Sequence, residues 1–290
     1  PRIRLVAAAR TARMSAGNRH PARVRRGYCD TAAGQVHYRA CGEGKPLVLL
    51  HWAPASGRMY EHLLPAFAAR GFRALAPDIH GYGRSDKQDA GWSIADYARN
   101  LGETLRALGA WPANVVGGHL SAAIATELAI SEPAGITCLV LDGSPAWTPA
   151  QRAALFQSFA GLSPAIAANG SHKTYAWDMI ERSLTQWDDR FRVTDDTLPV
   201  LYAYLCDYLE TGLRPKPALG AYDMLARLPQ LAVPVLALTA ETEPLRPMHE
   251  AVPEAVRGAQ QHVFQGAHPL LDPARAEEYV EVIDRFLRTV

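Results

Sequence analysis

Short apolar segments alternate with amphipathic helical segments along most of the chain, and no other feature restricts the fold as much. Each apolar segment has the length of one buried strand, and helical segments such as residues 93–108 carry apolar side chains at the spacing of one helix face. This order predicts an α/β fold, a mostly parallel twisted sheet covered by helices. The predicted core strands are residues 46–52, 72–79, 114–118, 137–143, 234–241 and 261–266, and residues 36–39 are predicted to form a leading antiparallel edge strand.

A long segment interrupts this alternation between the fourth and fifth core strands. Residues 146–227 contain helical patterns, many aromatic side chains and no convincing strand. Long segments without structure of their own are uncommon in compact domains, so we predict that these residues form an inserted helical lid. The core domain is then made of residues 27–145 and 228–290.

Residues 1–26 differ in composition from the rest of the chain. They contain eight arginines and no acidic residue, which is typical of an organelle transit peptide or of sequence upstream of a true start at Met14. We favour the second alternative and expect a basic leader that is disordered or lies before the true start. The remaining residues carry 22 basic and 29 acidic side chains, a net charge of −7, so we expect no nucleic-acid partner.

The sequence predicts neither a membrane segment nor a bound cofactor. It contains no run of about 18 apolar residues. The glycines of residues 81–83 lack the third glycine of a dinucleotide-binding loop, and the histidines lack short metal-ligand spacing, so neither a nucleotide cofactor nor a metal is expected. We predict a cytoplasmic protein with reduced thiols, because its four cysteines show no metal or redox spacing: Cys29, Cys41, Cys138 and Cys206.

Polar side chains with catalytic chemistry follow the predicted parallel strands. His51 follows the first core strand, and His119 stands in a glycine-rich turn after the third. Asp142, Glu243 and His268 follow the last three strands. The carboxyl ends of parallel strands meet at one edge of a sheet, where loops build ligand sites. A sharp turn, a carboxylate and a late histidine are the parts of a hydrolytic triad.

Five short motifs stand at these strand ends. They are an oxyanion loop, an Asp-x-x-Gly-x-Gly-x-Ser segment, a small-x-x-x-small elbow, an acid loop and a histidine loop, at residues 51–54, 78–86, 117–121, 240–243 and 266–268. In this order they resemble the motifs of the α/β-hydrolase superfamily, over about residues 27–290. The resemblance implies an α/β-hydrolase fold with an inserted lid, a small-molecule substrate and cofactor-free chemistry.

The elbow departs from the family pattern Gly-x-nucleophile-x-Gly, in which the nucleophile is Ser, Asp or Cys. If Gly118 is the first glycine, Leu120 takes the nucleophile position. If Gly117 is the first glycine, His119 takes it. We prefer the second register, because the first leaves the following helix one residue short. The chain then resembles a subgroup of α/β-hydrolase-like sequences with histidine at the elbow.

The oxyanion loop also departs from the family, because Trp52 stands where a glycine usually follows His51. The resemblance implies that the backbone N–H groups of Ala53 and Leu120 stabilise an oxyanion. Trp52 either crowds this position or shapes it for a planar substrate. Ser121 fills the second small position of the elbow and is expected beside the substrate, with a minor chance of being the nucleophile itself.

Four side chains are candidates for proton transfer. We predict His268 as the base, with Glu243 as its orienting acid and Asp142 as the rival for that role. His119, at a helix N-terminus that disfavours a cation, is predicted to lie beside His268 and to titrate with it as a coupled pair. His119 is therefore open to three roles: base, nucleophile or inactive pocket lining.

These features predict a hydrolase of a small aromatic or apolar ester, lactone, amide or activated C–C bond. Two alternatives stay open. One is a lyase, decarboxylase or cofactor-independent oxygenase on the same fold, and the other is a catalytically silent ligand-binding protein. Apart from a small-molecule substrate, a homodimer is compatible with the resemblance.

Overall fold

The computed structural model describes residues 23–87, 91–158, 167–188, 192–195, 197–211 and 217–290. These residues form one eight-stranded sheet with the order β1-β2-β4-β3-β5-β6-β7-β8. The first two strands are antiparallel to their neighbours, and β3 to β8 are parallel. The strands are β1 Arg25–Thr31, β2 Gly34–Cys41, β3 Lys45–Leu50, β4 Phe72–Pro77, β5 Ala113–Gly118, β6 Ile136–Asp142, β7 Val235–Ala240 and β8 Gln260–Phe264.

The parallel sheet matches the prediction, since each of the six predicted core strands overlaps one of β3 to β8. The antiparallel edge differs. The predicted edge strand is β2, but β1 pairs outside it along its whole length. Arg25 and Arg26, assigned to the leader on composition, are therefore the first residues of a strand. An edge strand tolerates such charged residues because one side of it stays unpaired. Residues 1–22 of the predicted leader lie outside the described residues.

Helices cover both faces of the sheet. α2 and α3 pack on one face together with side chains such as Val48 and Leu50, and α1 and α11 pack on the other with Leu47 and Leu49. A capping box between Ser93 and Asp96 begins α2, which covers most of the helical segment predicted at residues 93–108. The helices of the core are α1 Leu64–Ala69, α2 Ile94–Ala107, α3 Leu120–Ser131, α9 Arg246–His249, α10 Ala251–Ala255 and α11 Ala276–Leu287.

The described residues between β6 and β7 form further helices, which correspond to the predicted lid segment. The two longest, α5 and α6, pack together through a small apolar cluster that includes Ile180, Leu184 and Leu201. The polar contacts of this segment with the core include Ser56 with Asp207 and Glu127 with Arg227. The helices are α4 Pro149–Ser158, α5 Ser171–Trp187, α6 Leu198–Thr211, α7 Pro217–Ala221 and α8 Met224–Arg227. Within the described residues, no helix combines the length and the apolar character needed to cross a bilayer.

Candidate active site

The turn between β5 and α3 places His119 at its apex. The backbone of His119 has φ +53° and ψ −119°, a conformation that is unusual for a side-chain-bearing residue and is found at functional turns. Its N–H donates to the carbonyl oxygen of Asp142 at 3.1 Å. A Cβ on Gly117 would lie 2.6 Å from the carbonyl oxygen of Ser121, which explains the glycine there. The apex residue is thus His119 and not Leu120.

Trp52 lies flat on the His119 ring. The ring centroids are 4.3 Å apart and the planes differ by 7°, which is a stacked arrangement. The same indole meets the His268 ring at 5.2 Å and 80°. A Cβ on Gly118 would lie 1.8 Å from the indole nitrogen, so Trp52 occupies the space that this glycine leaves. Trp52 therefore forms a wall of the site that contacts both imidazoles.

Glu243 is the carboxylate closest to His119. Its Oε1 lies 3.3 Å from Nε2 of His119 and accepts a hydrogen bond from the backbone N–H of Leu245 at 3.2 Å. Burial alone raises the pKa of Glu243, but the charge and hydrogen bonding of His119, with smaller contributions from His268 and the Leu245 N–H, bring it below its ordinary value. Glu243 is therefore an anion at neutral pH beside the His119 ring.

His268 pairs with Asp142 instead of Glu243, so the predicted Glu243–His268 pair is wrong. Nδ1 of His268 accepts the Leu270 N–H at 3.2 Å, which leaves the proton on Nε2 to be donated to Oδ1 of Asp142 at 2.9 Å. The other oxygen of Asp142 accepts the Tyr279 hydroxyl at 2.9 Å. Both ring nitrogens of His268 are occupied. Tyr279 and Leu270 explain why His268 pairs with Asp142. The Tyr279 hydroxyl orients the Asp142 carboxylate, and the Leu270 N–H orients the His268 ring.

The two imidazoles differ in access. The side chain of His119 is 15% exposed and that of His268 is 1% exposed. Each imidazole has a carboxylate partner, Glu243 for His119 and Asp142 for His268, and Trp52 contacts both rings. Of these two side chains, that of His119 is therefore the more accessible from outside the protein.

The remaining predicted site residues fall into two groups. Ser121 is fully buried and its hydroxyl donates to the carbonyl oxygen of His51. Its side chain thus ties α3 to the oxyanion loop, and the prediction that it lies beside the substrate does not fit this geometry. The Leu120 side chain is buried in the core, whereas Ala53 is exposed. What these two residues offer a ligand is their backbone N–H groups, which remain candidate oxyanion donors.

His51 and Asp78 stabilise the loops beneath the site. Nε2 of His51 accepts the backbone N–H of Ile79 at 2.9 Å, and its Nδ1 donates to the carbonyl oxygen of Trp52 at 3.0 Å. Asp78 accepts hydrogen bonds from Arg39 at 2.9 Å and from the Gly57 N–H at 2.8 Å. Burial alone raises the pKa of Asp78, but His37 and Arg39 lower it to about 2.

Sequence analysis missed one buried histidine at the site. His249 ends α9, and its Nδ1 accepts the backbone N–H of Ser144 at 2.9 Å. Burial lowers its pKa to about 4, so the ring is neutral at neutral pH. No motif points to it, because His249 lies outside the acid loop and is separated in sequence from Ser144 by the whole lid segment. Among the described residues, no group of three or more His, Cys, Asp or Glu side chains is placed to hold a metal ion.

The comparisons with known proteins place this fold in a family. Residues 45–271 match the family model described as alpha/beta hydrolase fold. The chain belongs to the α/β-hydrolase fold family, which confirms the resemblance drawn from the motifs.

Several relatives are named as hydrolases. A protein named for carbamate hydrolysis, from Variovorax paradoxus, is 29% identical over 73% of this chain and 80% of its own length. A haloalkane dehalogenase from Mycobacterium marinum is 46% identical, but the match covers only 23% of each chain, so this chain spans about a quarter of that relative.

Solved structures agree on the fold. A bromoperoxidase from Bacillus anthracis matches with a TM-score of 0.72 at 20% identity, over 91% of this chain and all of that one. An esterase from Exiguobacterium antarcticum matches with a TM-score of 0.72 at 18% identity, over 90% of this chain and 98% of that one. At these identities the likeness establishes the α/β-hydrolase fold.

Proposed function

We propose that the protein is a hydrolase that acts without a metal or organic cofactor on an ester, lactone, amide or activated C–C bond of a small apolar or aromatic molecule, with His119 and Glu243 as its catalytic pair. One observation carries the proposal. His119 occupies the strained apex of the elbow, 3.3 Å from a buried anionic carboxylate, with 15% of its side chain exposed. His268, the base expected from the family, has both ring nitrogens engaged.

In this proposal His119 is a general base that activates water. Its Nε2 faces Glu243, so Nδ1 is the nitrogen that takes a proton from the attacking water. As the water oxygen bonds to the carbonyl carbon, the C=O electron pair moves onto oxygen, and the N–H groups of Ala53 and Leu120 donate hydrogen bonds to this oxyanion. Collapse of this intermediate breaks the bond to the leaving group, which takes the proton back from His119. Glu243 stabilises the imidazolium between the two steps.

The substrate class follows from the walls of the site and the names of the relatives. The indole of Trp52 is buried and stacked on His119, so it makes the surroundings of the His119 ring apolar and aromatic, which favours a planar or apolar substrate group. The relatives are named for carbamates, haloalkanes and epoxides, all small molecules.

Turnover of a panel of aryl esters and lactones tests the proposal. We expect His119→Ala to lower kcat/KM by about 100-fold or more, the range in which a general base contributes. His262→Ala, on β8 and away from the elbow, is the matched control and should keep its activity.

Other outcomes point to the alternatives. Activity that survives His119→Ala would contradict the catalytic pair and return attention to Ser121 or to water activated elsewhere. If neither protein hydrolyses any member of the panel, the hydrolase proposal fails. Ligand binding and proton-transfer lyase or oxygenase chemistry would then be the next assays.

A further inference from the structure

His249 connects two loops of the site through its backbone and side chain. Its ring accepts the N–H of Ser144 in the loop after β6, which fixes the ring proton on Nε2. Its own N–H donates to the carbonyl oxygen of Leu245 at 2.8 Å, in the loop after β7. Leu245 in turn donates its N–H to Oε1 of Glu243. One buried residue therefore links the turn beside His119 to the loop that carries Glu243.

The turn held by His249 is in direct contact with the proposed catalytic pair. Gly143 precedes Ser144, has φ +57° and donates its N–H to Leu238 at 3.0 Å. A Cβ on Gly143 would lie 3.0 Å from Cδ2 and Nε2 of His119 and 3.4 Å from Cδ of Glu243. The His119–Glu243 pair thus packs on the bare backbone of Gly143. A small displacement of this turn would change the contact between the two side chains.

The charge state of His249 suits this role. The ring is fully buried, and the charged groups that act on it are Asp142, Glu243, Glu250 and His119. Because the His249 ring is neutral, it does not weaken the electrostatic attraction between Glu243 and His119. A cationic ring at this position would attract Glu243 as well.

We propose that His249 is a positioning residue for the reaction, holding the Gly143–Ser144 turn so that His119 and Glu243 stay in contact. The proposal rests on the proposed function, because it takes His119 and Glu243 as the catalytic pair. It predicts that the turn keeps its position as long as residue 249 offers an acceptor at the place of Nδ1, and that the rest of the His249 ring is not needed for this.

Two substitutions separate these parts of the side chain. His249→Asn keeps an acceptor oxygen near the position of Nδ1, so it should retain the bond from Ser144. His249→Leu keeps the volume and removes the acceptor. With an aryl ester substrate, we expect His249→Leu to lower kcat at least about tenfold, with KM changed less than about threefold, and His249→Asn to stay within about threefold of the unmodified protein in both constants. His249→Gln, whose longer side chain misplaces its acceptor, is the second disrupted variant if the leucine variant does not fold.

A spectroscopic measurement keeps this proposal separate from the proposed function. In ring ¹H–¹⁵N spectra of the full chain, the His119 signals should move in His249→Leu and stay in place in His249→Asn, whether or not His119 is the base. The proposal is overturned if His119 signals and kcat are the same in all variants, or if kcat falls equally in His249→Asn and His249→Leu. A moved His119 signal with activity that survives His119→Ala would support the positioning and contradict the proposed function alone.

Discussion

At the scale of single residues, the negative charge of Glu243 is the feature on which the proposed chemistry depends most. Glu243→Gln keeps an oxygen to accept the Leu245 N–H but removes the charge that faces His119. We expect kcat/KM to fall about 10- to 100-fold, because the imidazolium formed during the reaction loses its counter-ion. The acidic limb of the pH profile should also move to lower pH, since protonating the base becomes less favourable.

Asp142→Asn is the control for Glu243→Gln. It removes the charge of the second histidine–carboxylate pair of the site, in which Asp142 is bound to His268 and Tyr279. If Asp142→Asn shifts the pH profile and Glu243→Gln does not, the base is His268 and the assignment of the two pairs must be exchanged. This comparison uses steady-state rates across pH for both variants and the unmodified chain.

The individual side chains also show where sequence was sufficient. The two glycines left both His119 and Leu120 possible at the apex, and the length of the following helix correctly favoured His119, because both features are local to the turn. The partner of His268 could not be predicted. Its choice between Asp142 and Glu243 depends on Tyr279 and Leu270, whose approach is set only by the folded chain. His249 was missed for the same reason.

At the scale of elements, a buried carboxylate joins the lid segment to the core. Asp207 on α6 accepts the Ser56 hydroxyl at 2.8 Å. Burial raises the pKa of Asp207, and Asp78 and Glu210 add to the effect, while Ser56 and Arg58 oppose it. A raised pKa means that the folded state holds the proton more tightly than the unfolded state. Protonated Asp207 therefore contributes to the stability of the folded state. This contribution is lost as the pH rises through the folded-state pKa and the carboxyl group ionises.

Two substitutions at this contact should act in opposite directions. Asp207→Asn keeps the acceptor and removes the buried charge, so thermal unfolding at about pH 7 should shift to higher temperature, and the gain should vanish as the pH approaches the ordinary value of 3.8. Ser56→Ala leaves the carboxylate without its donor and should destabilise the protein by about 1–3 kcal/mol. A lower unfolding temperature for Asp207→Asn at neutral pH would show that the charge itself stabilises the contact.

The elements were predictable to different degrees. The parallel strands and α2 were evident because each buries side chains at a fixed period over its own length. β1 was not, since Arg25 and Arg26 share the composition of the arginine-rich residues before them. Its pairing with β2 rests on backbone hydrogen bonds along one side, which any side chain allows, so no apolar pattern marks this edge strand.

At the scale of the whole molecule, the core is built around several groups that are buried in one protonation state. His51 and His249 are buried as neutral rings, because burial lowers the pKa of each. Asp78 and Glu243 are buried as anions, because their partners outweigh the effect of burial. In all four groups the unfolded chain binds protons more readily than the folded chain. Lowering the pH therefore lowers the free energy of unfolding through each of them.

Stability should therefore fall in two successive windows as the pH is lowered. The stability contributed by the neutral histidines is fully present above the ordinary pKa of 6.5. For His249 it is lost as the pH falls from 6.5 through about 4, and the loss in the free energy of unfolding is about 3 kcal/mol. The carboxylate contribution of Asp78 is lost between 3.8 and about 2. Urea unfolding at a series of pH values measures both windows. His249→Asn, which does not titrate, should flatten the upper window, and Asp78→Asn the lower one. If His249→Asn and the unmodified chain lose stability in parallel between about pH 7 and pH 4.5, the upper window does not come from His249.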